Sequence, residues 1–429
     1  MKDTGFPDRP LEMARGRIEA DPRAMLNTAV DLLRGPIPGS PGTDVETFER
    51  AIANRVGRRH GVAVGSGKAA LILALKALRL PPDSEVVLPA FLVPEVVAVI
   101  LGTGLRPRIV DVDPRTFNLD PAAVAAAARP TVRVVLPVHL FGTPCDIAAI
   151  QEVSRQCGAV VIEDAAQALG AEIGGRAAGS FGRMSYFSFG VFKNLNTLLG
   201  GMILTDDDDL ARDLRVLQRA LRPPNRRELA EAWMHWLALG AATHPVTFRG
   251  IVGPVVSAME RLSAGWSRRA ALKPPAEYRT PSIDVSKFMV GFSDVQARLG
   301  LTMLPRLDPA AAVRVRNADS LDRSLAGIPG VATQAVPAGG RSIRWNYPML
   351  IPDRDRVLPD VRRASGFDLA PGYTPDLSAI PAFREYSCPC PVAARADATH
   401  VYVPVHPDLA PGTFEAAADR LANVLRAVT

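Results

Sequence analysis

The sequence predicts an α/β protein in which helices cover a mostly parallel sheet and a smaller C-terminal α/β domain follows. Two observations lead to this prediction. From about 60 to 205, short runs of Val, Ile and Leu alternate with segments of helical periodicity, which is the pattern of buried parallel strands joined by helices. The chain has 429 residues, more than one compact core usually holds, so a second domain is expected.

The alternation can be followed element by element. The strands predicted between 85 and 167 are EVVLPAF, RPRIVDVD, VRVVLPVHL and AVVIEDAAQ, and the helices between them are PEVVAVILGTG, DPAAVAAAA and DIAAIQEVSRQCG. Ligands of such sheets bind beyond the C-terminal ends of the strands. His139, Asp164 and residues 188–193 lie at such ends. For His139 we favour a strand-end histidine with satisfied hydrogen bonds over a role at the ligand.

The predicted domain organisation has five parts. They are an N-terminal arm (1–30), a large domain (31–221), a helical insertion rich in Trp and Arg (222–280), a linking helix (281–310) and a small C-terminal domain (311–429). The insertion lacks the roughly 18 uninterrupted apolar residues of a membrane-spanning helix. A helical insertion packed on the large domain or at a subunit interface is favoured over an amphipathic hairpin at a membrane surface.

Composition and charge exclude several classes of protein. The net charge of +6 is modest and the arginines are scattered, so nucleic-acid binding is not expected. The four cysteines lack the paired spacing of a zinc site, and their small number fits a reducing compartment. The N-terminus has no apolar segment of the kind found in secretory signals. We therefore expect a cytoplasmic protein without a metal site.

The segment GVAVGSGKAALILALKAL, residues 61–78, resembles a nucleotide-binding loop but lacks its key residues. The P-loop requires a glycine at position 62 and a hydroxyl residue at 69, where this chain has Val62 and Ala69. ATP binding is therefore not expected. Small residues at the start of a helix still present backbone N–H groups to an anion, so the segment remains a candidate phosphate site.

A lysine and a carboxylate follow two later strands. Asp164 ends a buried strand, and Lys193, one of only six lysines, comes shortly after Ser188 in SFGVFKN. Together with a phosphate site near 67, these residues match what pyridoxal phosphate requires. The cofactor needs an amine for its Schiff base, a carboxylate at its pyridine nitrogen and donors for its phosphate.

Several blocks of the chain, in the same order, are similar to those of the DegT/StrS-type sugar aminotransferases. The resemblance runs from about Leu33 to the C-terminus, apart from the insertion. The similar blocks are RPRIVDVDPRTFNLDP, PVHLFGTPCDIAAI, VIEDAAQALGA, SFGVFKN and DVQARLGLTMLPRLD. This resemblance implies the fold of a fold-type-I transferase dependent on pyridoxal phosphate, and it implies a homodimer.

The resemblance also implies roles for individual residues. Lys193 would form the Schiff base and move the proton during transamination. Asp164 would pair with the pyridine nitrogen, and Gln167 would bond the ring hydroxyl. Ser188 and the backbone around Gly67, Lys68 and Ala69 would hold the phosphate.

The chain departs from the family pattern at several of these places. Lys68 replaces a small hydroxyl residue, and Leu198-Leu199 replaces Gly-Glu. Val93 replaces the aromatic that stacks on the cofactor ring, which leaves Val93 itself or Phe91 to cover it. Met289 and Gly291 replace the Asn and Arg that reach the partner subunit's cofactor, so these two positions leave the contact between subunits open.

We therefore expect an aminotransferase that moves an amino group from glutamate or glutamine to a keto group of a sugar, a cyclitol or a related intermediate. The apolar replacements and the Trp-rich insertion also suggest an acceptor with a lipid or other apolar portion. Two alternatives stay open. One is elimination or condensation with the same cofactor, and the other is a non-catalytic protein that binds the cofactor as a sensor or scaffold. Lys193 argues against the histidine-containing dehydratases of the family.

Overall fold

The structure, a computed structural model, describes residues 7–19, 21–34, 42–262, 284–407 and 411–429. Its strands are β1 (His60–Val64), β2 (Glu85–Pro89), β3 (Arg106–Val110), β4 (Val132–Val135), β5 (Val160–Asp164), β6 (Glu172–Ile173), β7 (Arg176–Ala177), β8 (Met184–Ser188), β9 (Gly201–Thr205), β10 (Ala332–Thr333), β11 (Gly340–Arg341), β12 (Tyr347–Leu350), β13 (Ala370–Pro371) and β14 (His400–Val403). Its α-helices are α1 (Pro22–Leu33), α2 (Thr43–Val56), α3 (Gly67–Ala77), α4 (Pro94–Gly102), α5 (Pro121–Ala127), α6 (Ile147–Gln156), α7 (Asp208–Arg219), α8 (Arg226–Ala242), α9 (Pro245–Thr247), α10 (Gly253–Leu262), α11 (Asp294–Met303), α12 (Leu307–Leu325), α13 (Arg354–Ser365), α14 (Pro391–Thr399) and α15 (Pro411–Val428).

Seven strands of the described residues form the large sheet, in the order β1-β9-β8-β5-β4-β2-β3. The pairs from β3 to β8 are parallel, and β9 runs antiparallel to both of its neighbours. The prediction of a mostly parallel sheet is confirmed. Because β1, β5 and β8 all run in one direction, the chain leaves them at the same edge of the sheet. That edge holds the candidate site.

Helices cover both faces of this sheet, as the alternation of side chains along β2 shows. Val86 and Leu88 belong to a buried cluster with the apolar residues of α3 and α4. Val87, between them, belongs to a second cluster with residues of α5 and α6. Successive residues of a strand face opposite sides, so a run such as VVL is buried throughout only when both faces are covered.

The small domain is an antiparallel sheet of β10, β12, β14 and β13, against which α12, α13 and α15 pack. The linking helix predicted for 281–310 is shorter in the structure, where α11 covers only Asp294–Met303. A short 3-10 turn, Leu304–Arg306, separates α11 from α12. Pro305 has no N–H to continue the helical ladder, which accounts for the turn. The predicted domain boundary between 310 and 311 falls inside α12.

The segment predicted as an insertion is helical over its described part, and 263–280 lie outside the described residues. Its longest helix, α8, begins at a capping box formed by Asn225 and Glu228 and packs against α1. Trp236 is fully buried, and its indole N–H donates to the carbonyl of Glu19 at 3.1 Å. Trp233 donates to Met25 in the same way. None of the described helices is both long and apolar enough to cross a membrane.

Candidate active site

A cavity of about 770 Å³ opens where β5 and β8 end, between the large sheet, the small domain and the N-terminal arm. Six of the seven predicted site residues line it, and these are Gly67, Lys68, Asp164, Gln167, Ser188 and Lys193. Ala69 is buried and does not line the cavity. Positions from three separate segments of the sequence, 67–68, 164–167 and 188–193, therefore come together at one edge of the sheet.

Asp164 is the last residue of β5 and is almost completely buried. One of its carboxylate oxygens accepts a hydrogen bond from the hydroxyl of Tyr186, and the other accepts from the amide of Ala166 at 3.0 Å. Burial raises the pKa of the Asp164 carboxyl, although these bonds and the charge of Lys193 oppose the shift. A cation placed beside this carboxylate would offset its desolvation.

Lys193 lies in the loop between β8 and β9 and is partly buried. Desolvation lowers the pKa of its amine from 10.5 to about 8, with a contribution from the charge of Lys68, while Asp164 acts in the opposite direction. A substantial fraction of the amine is therefore neutral slightly above neutral pH. Only the neutral form is a nucleophile, so the location of Lys193 suits covalent chemistry.

The N-terminus of α3 forms the proposed phosphate site. Ser66 caps the helix, and its Oγ accepts from the amide of Ala69 at 3.1 Å, so Ala69 already has a partner inside the protein. The amides of Gly67 and Lys68, at the first two helical positions, have no acceptor within the helix. A Cβ at Gly67 would lie 2.9 Å from Cβ of Ser188, so only glycine lets the two segments approach this closely.

Gln167 is buried in the cavity wall and has a fixed orientation. Its Oε1 accepts from the amide of Phe141 at 2.7 Å. The side-chain NH₂ group therefore remains as a donor, and among the described residues no acceptor for it is recorded. This arrangement fits the predicted bond to a ring hydroxyl or phenolate oxygen.

The structure separates the two candidates for the missing ring-stacking aromatic. Phe91 is fully buried, and its ring packs edge-on against Phe117, Phe141 and His400, away from the cavity lining. Val93 does line the cavity. Of these two candidates, only the aliphatic Val93 is therefore available to cover a cofactor ring in the cavity.

Met289 and Gly291 do not line the cavity of this chain. Met289 packs against the core cluster around α3, and the amide of Gly291 donates to the carbonyl of Arg222 at 2.8 Å. Their relation to a second subunit stays a prediction.

His139 lies at the strand end as a buried structural residue, the interpretation that the sequence favoured. The amide of Cys145 donates to its Nδ1 at 3.0 Å, so its Nε2 carries the proton and donates to Glu163 at 3.0 Å. Glu163 also accepts from the amides of Gly179, Phe181 and Gly182. The carboxylate before Asp164 thus holds the loop that leads into β8.

Sequence reasoning missed several residues of the cavity wall. Trp345 places its ring 4.5 Å from Nζ of Lys193, measured to the ring centroid. Arg17 and Glu19 of the N-terminal arm also line the cavity. Asn196 also lines the cavity, and its buried side-chain NH₂ group has no hydrogen-bond partner among the described residues. Ser66 lines the cavity as well, and it is the one of these residues that a sequence pattern indicates, because a serine directly before a helix is a typical N-cap.

The described residues include no group of three or more His, Cys, Asp or Glu side chains that could hold a metal ion.

Comparison with known proteins gives a consistent result. The sequence profile of the DegT/DnrJ/EryC1/StrS aminotransferase family matches residues 23–235 and 283–422. The interruption overlaps the predicted insertion, although 222–235 lie within the matched part. GDP-perosamine synthase of Caulobacter vibrioides is 32% identical over 342 residues, which cover 78% of each chain.

Solved structures share the architecture. DesI, solved in the presence of its TDP-sugar product, superposes with a TM-score of 0.71 at 26% identity, over 98% of this chain and 93% of that chain. The E. coli GDP-4-keto-6-deoxy-D-mannose-3-dehydratase, solved with bound hydrated PLP, gives a TM-score of 0.72 over 96% and 100% of the two chains. At 19% identity, this superposition shows a shared fold alone. The fold-type-I architecture expected from the sequence is confirmed, and the chain belongs to the DegT/DnrJ/EryC1/StrS aminotransferase family.

Proposed function

We propose that this aminotransferase uses pyridoxal 5'-phosphate to move an amino group from glutamate or glutamine to a keto group of a sugar, a cyclitol or a related biosynthetic intermediate. The observation that carries the proposal is the shared cavity of Lys193 and Asp164. The cavity is lined by a lysine whose pKa falls to about 8 and by a buried carboxylate. The N-terminus of α3 and Ser188 line it as well. GDP-perosamine synthase and DesI with its TDP-sugar product, whose names refer to sugars, support a sugar acceptor.

The residues of the cavity fit the cofactor. Asp164 is a carboxylate whose pKa is raised by burial, and a protonated ring nitrogen beside it would offset that desolvation. Gln167 presents an amide donor of fixed orientation. The amides of Gly67 and Lys68 and the hydroxyl of Ser188 line the same cavity and suit a phosphate dianion.

When bound, pyridoxal phosphate supplies an electron sink that makes the Cα proton of the amino donor acidic. Asp164 would keep the ring nitrogen protonated and so maintain that sink. Lys193 would hold the cofactor covalently and then, as the free amine, take the proton from Cα of the donor. The amine would remain close to the donor because its neighbours restrict it to the cavity.

A homodimer completes the proposal. Two large apolar side chains near the cavity support it, because Phe192 is 61% exposed and Leu199 is 40% exposed in the single chain. Both residues line the cavity as well. A partner subunit that covered them would also close the site. Sedimentation at several concentrations would test this, and a monomer at micromolar concentration would contradict it.

The experiment follows the absorbance of the purified protein incubated with pyridoxal phosphate, before and after addition of glutamate or glutamine. We expect a yellow protein that an amino donor bleaches with release of the corresponding keto acid. Borohydride reduction before donor addition should attach the cofactor to Lys193, as mass mapping would show. Lys193→Ala should lose both properties, and Asp164→Asn should bleach at least about 100-fold more slowly.

The matched control is Lys76→Ala, which removes an exposed lysine from α3. It should bleach like the native protein. A yellow protein that neither donor bleaches would favour another reaction of the same cofactor, and a protein that takes up no cofactor would overturn the proposal.

A further inference from the structure

An aromatic side chain from the small domain covers the reactive lysine. The ring centroid of Trp345 lies 4.5 Å from Nζ of Lys193, and the indole is partly buried in the cavity wall. An ammonium group at this distance over an indole is attracted by the electron-rich face of the ring. Trp345 lies in the segment just before β12, far from the lysine in sequence.

Both ends of the contact are held in place. The indole N–H of Trp345 donates to the carbonyl of Phe192, the residue before Lys193, at 3.2 Å. On the other side, Arg344 has a left-handed backbone with φ 48°. Its guanidinium donates to the carbonyl of Gln334 and to Asp322, both at 3.0 Å. Polar contacts therefore hold the loop on both sides, and that of Arg344 with Gln334 is buried.

Other rings extend the same wall. Tyr373 meets Trp345 edge-to-face, with ring centroids 6.4 Å apart, and its hydroxyl accepts from the side chain of Asn346 at 3.2 Å. This wall stands in the small domain, whereas the family's stacking aromatic corresponds to Val93 in the large domain. An aromatic face is thus present at the lysine although the large domain provides an aliphatic residue.

The charged and titratable groups around the lysine come from several elements. The charges of Asp164 at the end of β5 and of Lys68 in α3 act on the amine, and Tyr186 of β8 lines the same cavity. Tyr373 belongs to the small domain. Arg17 and Glu19 of the arm line the same cavity. Trp345, which does not titrate, adds an uncharged aromatic ring to these surroundings of the amine.

We propose that Trp345 is a positioning residue for Lys193. Its ring covers the amine, keeps it within the cavity and stabilises its ammonium form. Through its bond to Phe192 it also joins the small domain to the lysine loop. The inference extends the proposed function, since it concerns the protonation of the lysine on which that function rests. It concerns the chain's own residues, so it can be tested without the cofactor.

The test measures how fast Lys193 of the cofactor-free protein reacts with acetic anhydride between pH 6 and 10.5. Mass spectrometry quantifies acetylation at Lys193, with the exposed Lys76 as the internal reference. In Trp345→Leu the apolar cover remains but the aromatic face is lost. Its labelling midpoint should therefore fall by roughly 0.5 to 1 pH unit relative to the native protein.

Two further variants separate the parts of the contact. Trp345→Phe keeps an aromatic face and loses the N–H, so its midpoint should lie between those of the native protein and Trp345→Leu. Trp233→Leu makes the same chemical change on α8, away from the lysine, and should leave the midpoint unchanged. Thermal melting of each variant verifies that it is folded.

A midpoint for Trp345→Leu within about 0.2 pH unit of the native value, well below the shift expected for such a contact, would overturn the inference. So would an equal fall in Trp345→Leu and Trp233→Leu, because it would indicate general loosening. The proposed function fails separately, by the absence of cofactor uptake or of bleaching. A shifted midpoint in a protein that binds no cofactor would leave the assignment of Trp345 intact.

Discussion

The hydroxyl of Tyr186 donates a hydrogen bond to Oδ2 of Asp164, from the directly paired position on the neighbouring parallel strand. Both side chains are buried, so the bond lies in a region of low dielectric constant. It stabilises the ionised carboxylate and opposes the rise in pKa that burial causes. The proposed partner of the cofactor nitrogen therefore depends on a residue that the sequence did not single out.

Tyr186→Phe tests this dependence. Loss of the bond should raise the pKa of Asp164 further, so the carboxylate becomes protonated at a higher pH. A bond to a charged group contributes about 1.5–3 kcal/mol, so cofactor affinity should fall roughly 10- to 100-fold. Titration calorimetry with pyridoxal phosphate at several pH values would measure it, and the loss should be largest at acid pH. Equal affinity of variant and native protein across the range would contradict the prediction.

The titration of Lys193 predicts a pH dependence of stability. Its folded pKa of about 8 lies below the unfolded value, so the unfolded chain binds more protons between about pH 8 and 10.5. The contribution of Lys193 to the free energy of unfolding of the cofactor-free protein should therefore increase as the pH rises through that interval. Lys193→Met removes the free-energy cost of burying the charged amine. It should be more stable than the native protein at pH 7, by an amount that shrinks toward pH 10.5.

Urea unfolding at pH 7, 9 and 10.5 would measure the difference between the two proteins. A constant difference over this interval would show that the amine is not destabilised by burial. Exposed lysines such as Lys76 should show no comparable effect when changed to Met.

Gly67→Ala tests the phosphate site. The new Cβ would lie 2.9 Å from Cβ and 3.2 Å from Oγ of Ser188, so the start of α3 or the end of β8 must shift. If one charge-assisted bond to the phosphate is lost, affinity for pyridoxal phosphate should fall about 10- to 100-fold. Gly250→Ala is the matched control, since nothing lies within 4 Å of its new Cβ. Unchanged affinity in Gly67→Ala would place the phosphate elsewhere.

The strands and the ligand-bearing edge could be predicted because the information is local. Asp164 and Ser188 are each the last residue of a short apolar strand, and parallel strands bring such ends together. Trp345 could not be found in this way, since it reaches Lys193 only after the small domain has folded against the large one. Its loop has no periodic pattern, and the left-handed Arg344 gives no signal in the sequence.

Local signals were also overlooked. Ser66 stands at an N-cap position, and its side chain accounts for the amide of Ala69, which the resemblance had suggested for the phosphate. Pro305 likewise marks the break between α11 and α12. Both follow from the ordinary rules for the ends of helices.

Trp236→Ala tests the connection between the insertion and the cavity. The indole is fully buried and bonded to Glu19, and Arg17 donates to the carbonyl of Gly240 in the same helix at 2.9 Å. Loss of the ring should destabilise the protein by about 3–5 kcal/mol. It should also raise KM for the acceptor, because Arg17 and Glu19 line the cavity.

Chemical denaturation and steady-state kinetics would measure these two effects. Leu237→Ala, at the adjacent and 37% exposed position, should change both much less. Destabilisation without any change in KM would show that the arm keeps its place without the tryptophan.

The hydrogen bonds of Glu163 and Asp164 give the register of β5 an unusual importance. Glu163 binds the amides of the loop before β8, and Asp164 faces the cavity. A slip of β5 by one residue against β4 and β8 would exchange the two faces of the strand. The carboxylate for the cofactor would then point into the loop, while the loop's own anchor would enter the site. Misfolded chains with this slip would keep every residue of the motif and lack the activity, so correct pairing of β5 is itself a condition of catalysis.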